Sequence, residues 1–402
     1  MTTPVRVAFL TTHPIQYQVP VFRLLDREEE LDFRVYYCML PDAQKQGEGF
    51  GVQFSWDIPL LDGYRYSVLN NVSKTPSVTS FKGCETPEIR SVLQRDEIDV
   101  LIVNGWVVKS CLQGLRAARS LRIPCIVRGE ANNLRHRPRW KRMLQRVLVR
   151  RYSACLPIGR ANRDFYLSHG VNENRLFPAP YCVENERFAA AVRSPEPGRE
   201  VRQKHGIPED ATCFLFSGKL QEKKHPIELI KAFCVARKAH PKMHLLIVGD
   251  GEQRQECEAI ARRGNVPVHF AGFVNQQEIP AYYSAADCLV LPSDAGETWG
   301  LVVNEGMACG RPAIVSDLVG CSADLITQGE TGWTFPFGNW NALADLFIEA
   351  ARDPAKLHSM GQNARARIDS YSPQQAADGI IQAVTALHLR SKPRQRKTIA
   401  TQ

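Results

Sequence analysis

The sequence predicts an α/β protein of two Rossmann-like domains facing each other across a cleft. Three observations carry that expectation. Runs rich in Val, Ile, Leu and Phe alternate with helix-length segments through both halves of the chain, the pattern of parallel sheets covered by helices. At 402 residues and 44% hydrophobic composition, the chain can fill two separate cores, at about 100–200 residues per domain. Between the halves, "AAAVRSPEPGREVRQKHGIPED" is charged and rich in Pro and Gly, the composition of a connection rather than a core.

Taken in order, strands are expected near residues 5–12, 31–38, 100–105, 123–128 and 154–158, which places a first domain over 1–185. A connection over 186–211 follows. Strands near 213–218, 244–249, 268–272, 288–292 and 312–316 then build a second domain over 212–371. "SPQQAADGIIQAVTALHLR" carries Ala, Ile, Val and Leu at helical spacing and reads as a closing helix over 372–390. The polar, basic residues 391–402 have no hydrophobic period and are expected to be disordered.

Several function classes are set aside by composition and motif. The first residues lack the charged head and long apolar core of a secretion signal, and no apolar run approaches the roughly 18–20 residues of a membrane span. The expectation is a cytoplasmic protein, at most peripheral on the inner face of the membrane. Twelve cysteines are scattered singly with no C-x-x-C pair, as expected of buried free thiols in a reducing compartment. Neither "LTTHPIQ" nor "FSGKLQE" supplies the G-x-G-x-x-G turn of a nicotinamide-dependent dehydrogenase. A net charge of +9 suggests nucleic acid, yet no helix-turn-helix, zinc-finger or aromatic RNA-binding signature accompanies it. No nucleic-acid partner is expected.

The chemistry gathers in the second half. In open α/β sheets, ligands sit beyond the carboxyl ends of the strands, where helix N-termini offer bare N–H groups to negative charge. Three loops there have polar contents: "FSGKLQEKKHP" with Gly218, Lys219 and Lys224, "VGDGEQ" with Gly249 and Asp250, and "PSDAGETWGL" with Glu297, Thr298, Trp299, Gly300 and Leu301. If a helix begins near Gly300, the amides of Gly300 and Leu301 can approach a phosphate closely, because Gly has no side chain in the way. Glu305 then falls in the second turn, where a carboxylate would repel phosphate and accept instead from neutral hydroxyls. Hydroxyls flanking a diphosphate describe a sugar nucleotide. Two glutamates eight apart, taken alone, are as well read as a solvated helix face. Their combination with Trp299, Gly300 and two lysines favours a site.

"FSGKLQEKKHP", "LLIVGDGE", "VHFAGFV", "ADCLVLPS" and "ETWGLVVNEGMACGRPAIVS", in that order, resemble the donor-binding half of the retaining GT-B glycosyltransferases of family four. The resemblance is specific from residue 213 to about 337. It implies that Glu305 binds ribose hydroxyls, that Glu297 lies against the donor sugar and diphosphate, and that Lys219 and Lys224 neutralise the diphosphate. "GFVN", with Phe273 and Val274, would border the base. It implies a sugar nucleotide as co-substrate, no resident cofactor, and an acceptor that is a glycan or lipid-linked sugar in bacterial polysaccharide synthesis. No metal is expected, since no Asp-x-Asp is present and lysines with helix amides can stabilise the leaving group. Retention without a convincing carboxylate nucleophile suggests front-face displacement. The chain departs from the family at Lys219, where Arg is usual, and at His225, where Gly usually follows the second basic residue. Other GT-B chemistry, such as a sugar-nucleotide epimerase or a phosphorylase, remains the nearest alternative.

The first half should receive the acceptor. "TTHPIQYQVP" ends the first strand with His13, Gln16 and Tyr17, a loop suited to sugar hydroxyls or to capping the first helix through Thr12. "VNGW", with Trp106, and "VRGEANN", with Glu130 and Asn132, end later strands in the same orientation, although the second lacks the His that many relatives carry there. From Arg128 to Arg151 the chain holds nine Lys or Arg and one acidic residue, a surplus of eight cations. Trp140, Met143, Leu144, Val147 and Leu148 recur at helical spacing beside a second row of Arg139, Arg142, Arg146 and Arg150. Residues 135–151 thus suit an anionic membrane surface. The alternative is an apolar row packed in the core, with the arginines solvated or gripping an acidic or phosphorylated acceptor.

Overall fold

The computed structural model describes residues 3–40 and 56–391. The expected tail beyond 391 lies outside them. Two all-parallel sheets of six strands each organise the chain. The first contains β1 (Val5–Thr11), β2 (Leu31–Tyr37), β3 (Tyr66–Val68), β4 (Val100–Asn104), β5 (Cys125–Arg128) and β6 (Ala154–Cys155) in the order β3-β2-β1-β4-β5-β6. The second contains β7 (Thr212–Ser217), β8 (Met243–Val248), β9 (Val268–Gly272), β10 (Cys288–Leu291), β11 (Ala313–Ser316) and β12 (Gly332–Phe335) in the order β12-β11-β10-β7-β8-β9. Numbered from its own first strand, the second sheet has the same order as the first. In each, the order reverses beside the first strand, where a doubly wound sheet opens its ligand crevice.

Strand alternation builds the layers. Along β1, Val7 and Phe9 enter one core while Ala8 and Leu10 enter another on the opposite face. In β7, Phe214 and Phe216 turn one way, Cys213 and Leu215 the other. All ten expected strands are present, nine of them within about two residues at each end, while the one expected over 154–158 stops at Cys155. The two unexpected ones, β3 and β12, are the outer edges of their sheets. Each has only three or four residues, and Tyr66 and Val68 of β3 are exposed, so neither had room for a periodic signal.

The segment read as a connection is not one. Residues 186–211 contain most of the helix Asn185–Ala190 and all of the helix Glu196–Lys204, and Phe188, Val201 and Ile207 are buried in the core of the second domain. Most of its charges, among them Glu186, Glu196, Arg199 and Lys204, are exposed on these helices, which hid a short apolar row. The closing helix, Pro373–Ser391, leaves the second domain and returns to the first: Ala376, Ala377, Ile380, Ala383, Val384 and Leu387 pack with Val7, Phe9 and Phe33. All twelve cysteines are free thiols, and all but Cys234 are buried. Among the described residues no helix is long and apolar enough to cross a membrane.

Candidate active site

The carboxyl ends of both sheets face a cleft that encloses a cavity of about 420 Å³, within the range of about 300–1,000 Å³ common for ligand sites. On the side of the second domain, its floor is made where β7 and β8 end. Gly218 (φ +149°) and Gly249 (φ +128°) lie in backbone conformations that favour glycine. A Cβ on Gly249 would stand 2.0 Å from the Gly218 carbonyl oxygen, so the two loops close on each other only because no side chain intervenes.

After Gly218 the chain makes a short helical turn, Glu222–Lys224, that presents Lys223 and Lys224 to the cavity. Lys224 is 8% exposed and its ammonium pairs with the carboxylate of Glu297. Glu297 arrives on the loop after β10, where its amide donates to the Asp294 carbonyl at 3.0 Å. Three residues later Gly300 (φ +97°) ends the loop and starts the helix Leu301–Ala308. A Cβ there would meet Leu291 Cδ2 at 2.8 Å. Gly300, Leu301 and Val302 line the cavity, so the helix opens onto it with its unbonded N–H groups, as expected.

Glu305 stands in the second turn of that helix and lines the same cavity. Its Oε2 accepts from the Tyr283 hydroxyl at 2.5 Å. Burial holds its carboxyl above the usual range, against the opposing effects of the Tyr283 hydrogen bond and the positive charges of Arg187 and Lys224. Phe273 and Val274, after β9, complete this wall.

The first domain supplies the facing wall through Gln16, Tyr17 and Glu130. Glu130 accepts from the Tyr181 hydroxyl through one oxygen and from Thr298 Oγ1 at 3.0 Å through the other. One carboxylate of the first domain thus touches the residue beside Glu297 in the second. Tyr17 packs on Tyr181 with ring centroids 5.2 Å apart, and burial, followed by the charge of Glu130, pushes its phenol pKa upward. Trp299 lines the cavity yet is 3% exposed. Its indole donates to Asn304 Oδ1 at 2.8 Å, and Asn304 donates to the Tyr181 carbonyl at 3.1 Å.

Five expected residues stand outside the cavity wall. Lys219 is half-buried in the turn before Lys223, with its carbonyl accepting from the Gln221 amide at 3.0 Å; Lys223 takes the place on the wall. Asp250 is held by Arg254 at 2.6 Å and by its neighbour's amide, Gly251, at 2.8 Å. His13 is hydrogen-bonded to Thr12 Oγ1 at 2.9 Å, and burial lowers its pKa to about 4. Trp106, half-buried, stacks on Phe165 at 6.1 Å against the core of the first domain. Asn132 is buried and reaches across the cleft to the Thr298 carbonyl at 3.3 Å, a clasp rather than an open contact. The structure also brings in Arg187, which lines the cavity and donates to Gln276 Oε1 at 2.7 Å. It sits in the stretch read as a connection, and no motif marked it.

Residues 198–367 match the family model described as glycosyl transferases group 1. Among curated proteins, the D-inositol 3-phosphate glycosyltransferase of Pseudarthrobacter chlorophenolicus is 31% identical over 205 residues, covering 50% of this chain and 47% of that protein. The lipopolysaccharide 1,2-N-acetylglucosaminetransferase of Salmonella typhimurium is 26% identical over 209 residues, covering 49% and 54%. The chain therefore spans about half the length of these curated relatives. Among solved structures, the Anabaena protein HepE in complex with UDP aligns over 96% of this chain and 100% of its own, with a TM-score of 0.74 and 18% identity, a likeness of fold. The chain has the two-domain GT-B fold and carries, over residues 198–367, a group 1 glycosyl transferase domain.

Proposed function

We propose that the protein moves a sugar from a nucleoside-diphosphate sugar to a glycan or lipid-linked acceptor, with retention of anomeric configuration and without a metal. One observation carries the reading. A single cavity joins a helix N-terminus, the Lys224–Glu297 pair and the Glu305 carboxyl, whose pKa burial raises, to a polar wall from the other domain. The diphosphate takes the helix amides with Lys223 and Lys224, as compact positive charge that gains most when the leaving group gathers charge. Glu305 accepts from the ribose, with Tyr283 fixing its other oxygen. Gln16, Tyr17 and Glu130 receive the acceptor.

In the reaction the bond from the donor C1 to the diphosphate oxygen breaks while the acceptor oxygen bonds to C1 on the same face. The acceptor proton passes to the departing diphosphate oxygen, so the products are a glycoside and a nucleoside diphosphate. The clasp of Glu130 on Thr298 keeps the two walls in register and limits water at C1. HepE was solved with UDP and with UDP-glucose, which makes uridine the first base to test. A contact with an anionic membrane surface through residues 135–151 suits a lipid-linked acceptor but does not depend on the donor site.

The test is a thermal-shift panel of nucleoside diphosphates and sugar nucleotides, followed by NMR of the transferred anomeric centre. A ligand at 100 times its Kd stabilises by about 2.7 kcal/mol. No shift with any nucleotide, or an inverted product, would reject the proposal.

A further inference from the structure

The basic segment after β5 folds as the helix Arg139–Val149, and its orientation decides between the two readings of its apolar row. Only one side faces the protein: Val149 is buried and Leu148 packs on the core of the first domain. The other four apolar residues point away. Trp140 is 61% exposed, Met143 60%, Leu144 61% and Val147 46%. Among the described residues no other helix exposes more than one large apolar side chain. At 3.6 residues per turn, these four form one stripe, flanked on one side by Arg139, Arg142 and Arg146 and on the other by Lys141. No described carboxylate lies within ion-pair reach of these four cations.

We infer that this stripe docks the protein on an anionic lipid bilayer, with Trp140, Met143, Leu144 and Val147 entering the headgroup boundary and the flanking cations meeting lipid phosphates. A packed protein partner would be matched by the apolar stripe alone. The cations on both flanks, none paired with a described carboxylate, specify a surface that is apolar inside and anionic at its rim. The placement also serves the cleft. The loop that carries Glu130 and Asn132 runs straight into this helix, and the chain from Glu130 to Arg139 reaches at most about 30 Å. A docked helix therefore holds the acceptor wall within that distance of the membrane, where a lipid-linked acceptor resides. This last step rests on the transferase reading; the docking itself does not.

The experiment is co-sedimentation of the full chain with phosphatidylglycerol or phosphatidylcholine vesicles at about 0.05 and about 0.5 M salt, the Debye length shrinking several-fold between them. Two variants accompany the parent: R139Q/K141Q/R142Q/R146Q and W140S/M143S/L144S. Both alter exposed side chains, and unchanged melting verifies their folds. Binding of the parent to phosphatidylglycerol only, weakened by salt and in both variants, is the expected result. Each cation near an anionic surface multiplies partitioning about fivefold, so the Gln variant should lose about a hundredfold or more. Absence of vesicle binding, equal binding to phosphatidylcholine, or either variant binding like the parent overturns the inference. So does a concentration-dependent dimer abolished by the Ser variant without vesicle binding, or retention on heparin alone, which would assign the face to a second copy or an acidic acceptor. The UDP thermal shift reads the cleft by itself, so the two proposals fail separately.

Discussion

Glu305→Gln should weaken nucleotide binding and at the same time raise the melting temperature at neutral pH. The amide keeps the shape of the carboxylate and can still accept from Tyr283, whose hydroxyl lies 2.5 Å from Oε2. What it loses is the charge on the oxygen left to the ribose. A hydrogen bond to a charged group contributes about 1 kcal/mol more than a neutral one, so two ribose hydroxyls account for about 2 kcal/mol. That is roughly a 30-fold rise in Kd for UDP. The stability effect has the opposite sign. Burial raises the Glu305 pKa in the folded chain, so between the ordinary carboxylate value and the raised one the folded state holds a proton that the unfolded state has lost. Stability then falls as pH rises through that window, and above it the folded chain carries a disfavoured charge. Gln removes that charge. The variant should melt higher than the parent at about pH 7, with the difference vanishing below about pH 4, where both side chains are neutral. Titration calorimetry with UDP and thermal melts across that range measure both effects. Unchanged affinity would remove Glu305 from the ribose site, and a lower melting point at neutral pH would refute the burial argument.

Lys224→Met leaves Glu297 enclosed without its cation, a loss of about 3 kcal/mol when a buried pair is broken; adding Glu297→Gln should restore the melting temperature but not sugar transfer, and recovery of transfer would assign Lys224 a purely structural role. Gly249→Ala forces a Cβ to 2.0 Å from the Gly218 carbonyl at a left-handed φ, so the protein should unfold earlier in urea and lose its UDP shift; normal values for both would show that the loops have room. Thr298→Val removes the 3.0 Å bond to Glu130 and should lower kcat/KM by about three- to tenfold, from a bond contributing about 0.5–1.5 kcal/mol, with UDP affinity unchanged, whereas a change in UDP affinity alone would move Thr298 to the donor side. Saturating EDTA should leave transfer intact, and strict dependence on Mg²⁺ or Mn²⁺ would contradict the assignment of the leaving-group charge to the lysines and helix amides.

Much of the fold was legible because the parallel strands are buried on both faces and read as near-continuous apolar runs. The second domain's side of the cavity was legible for a different reason. Its residues fall within consecutive loops at strand ends, so that spacing along the chain maps onto position in the cleft. Arg187 was hidden because it enters from a helix that belongs to neither periodic half, and its value appears only when Gln276 and Glu305 are brought beside it. Lys219 and Lys223 show the limit of spacing arguments. The turn Glu222–Lys224 swings one lysine onto the wall and leaves the other behind it, a choice made by backbone geometry that no composition encodes. Trp106 and His13 have the residue types of a sugar site, yet packing on Phe165 and a hydrogen bond to Thr12 already satisfy them.

The stretch from Glu297 to Glu305 explains why the two walls of the cleft stand in a fixed relation. Successive residues are committed to different partners: Glu297 to Lys224, Thr298 to Glu130, Trp299 to Asn304, and Glu305 to Tyr283. Asn304 passes the connection on to the Tyr181 carbonyl, and Tyr181 donates to Glu130. The circuit begins in the second domain, crosses the cleft and returns, with Gly300 at its centre in a conformation that an L side chain would strain. Trp299 and Asn304 are both buried, so loosening the circuit would leave polar atoms without partners, at about 1–3 kcal/mol each. That cost gives the cleft a preferred width without any ligand. Lys224, through Glu297, is joined to the same circuit that holds Glu130, so the two sides of the cleft are linked through one stretch of chain.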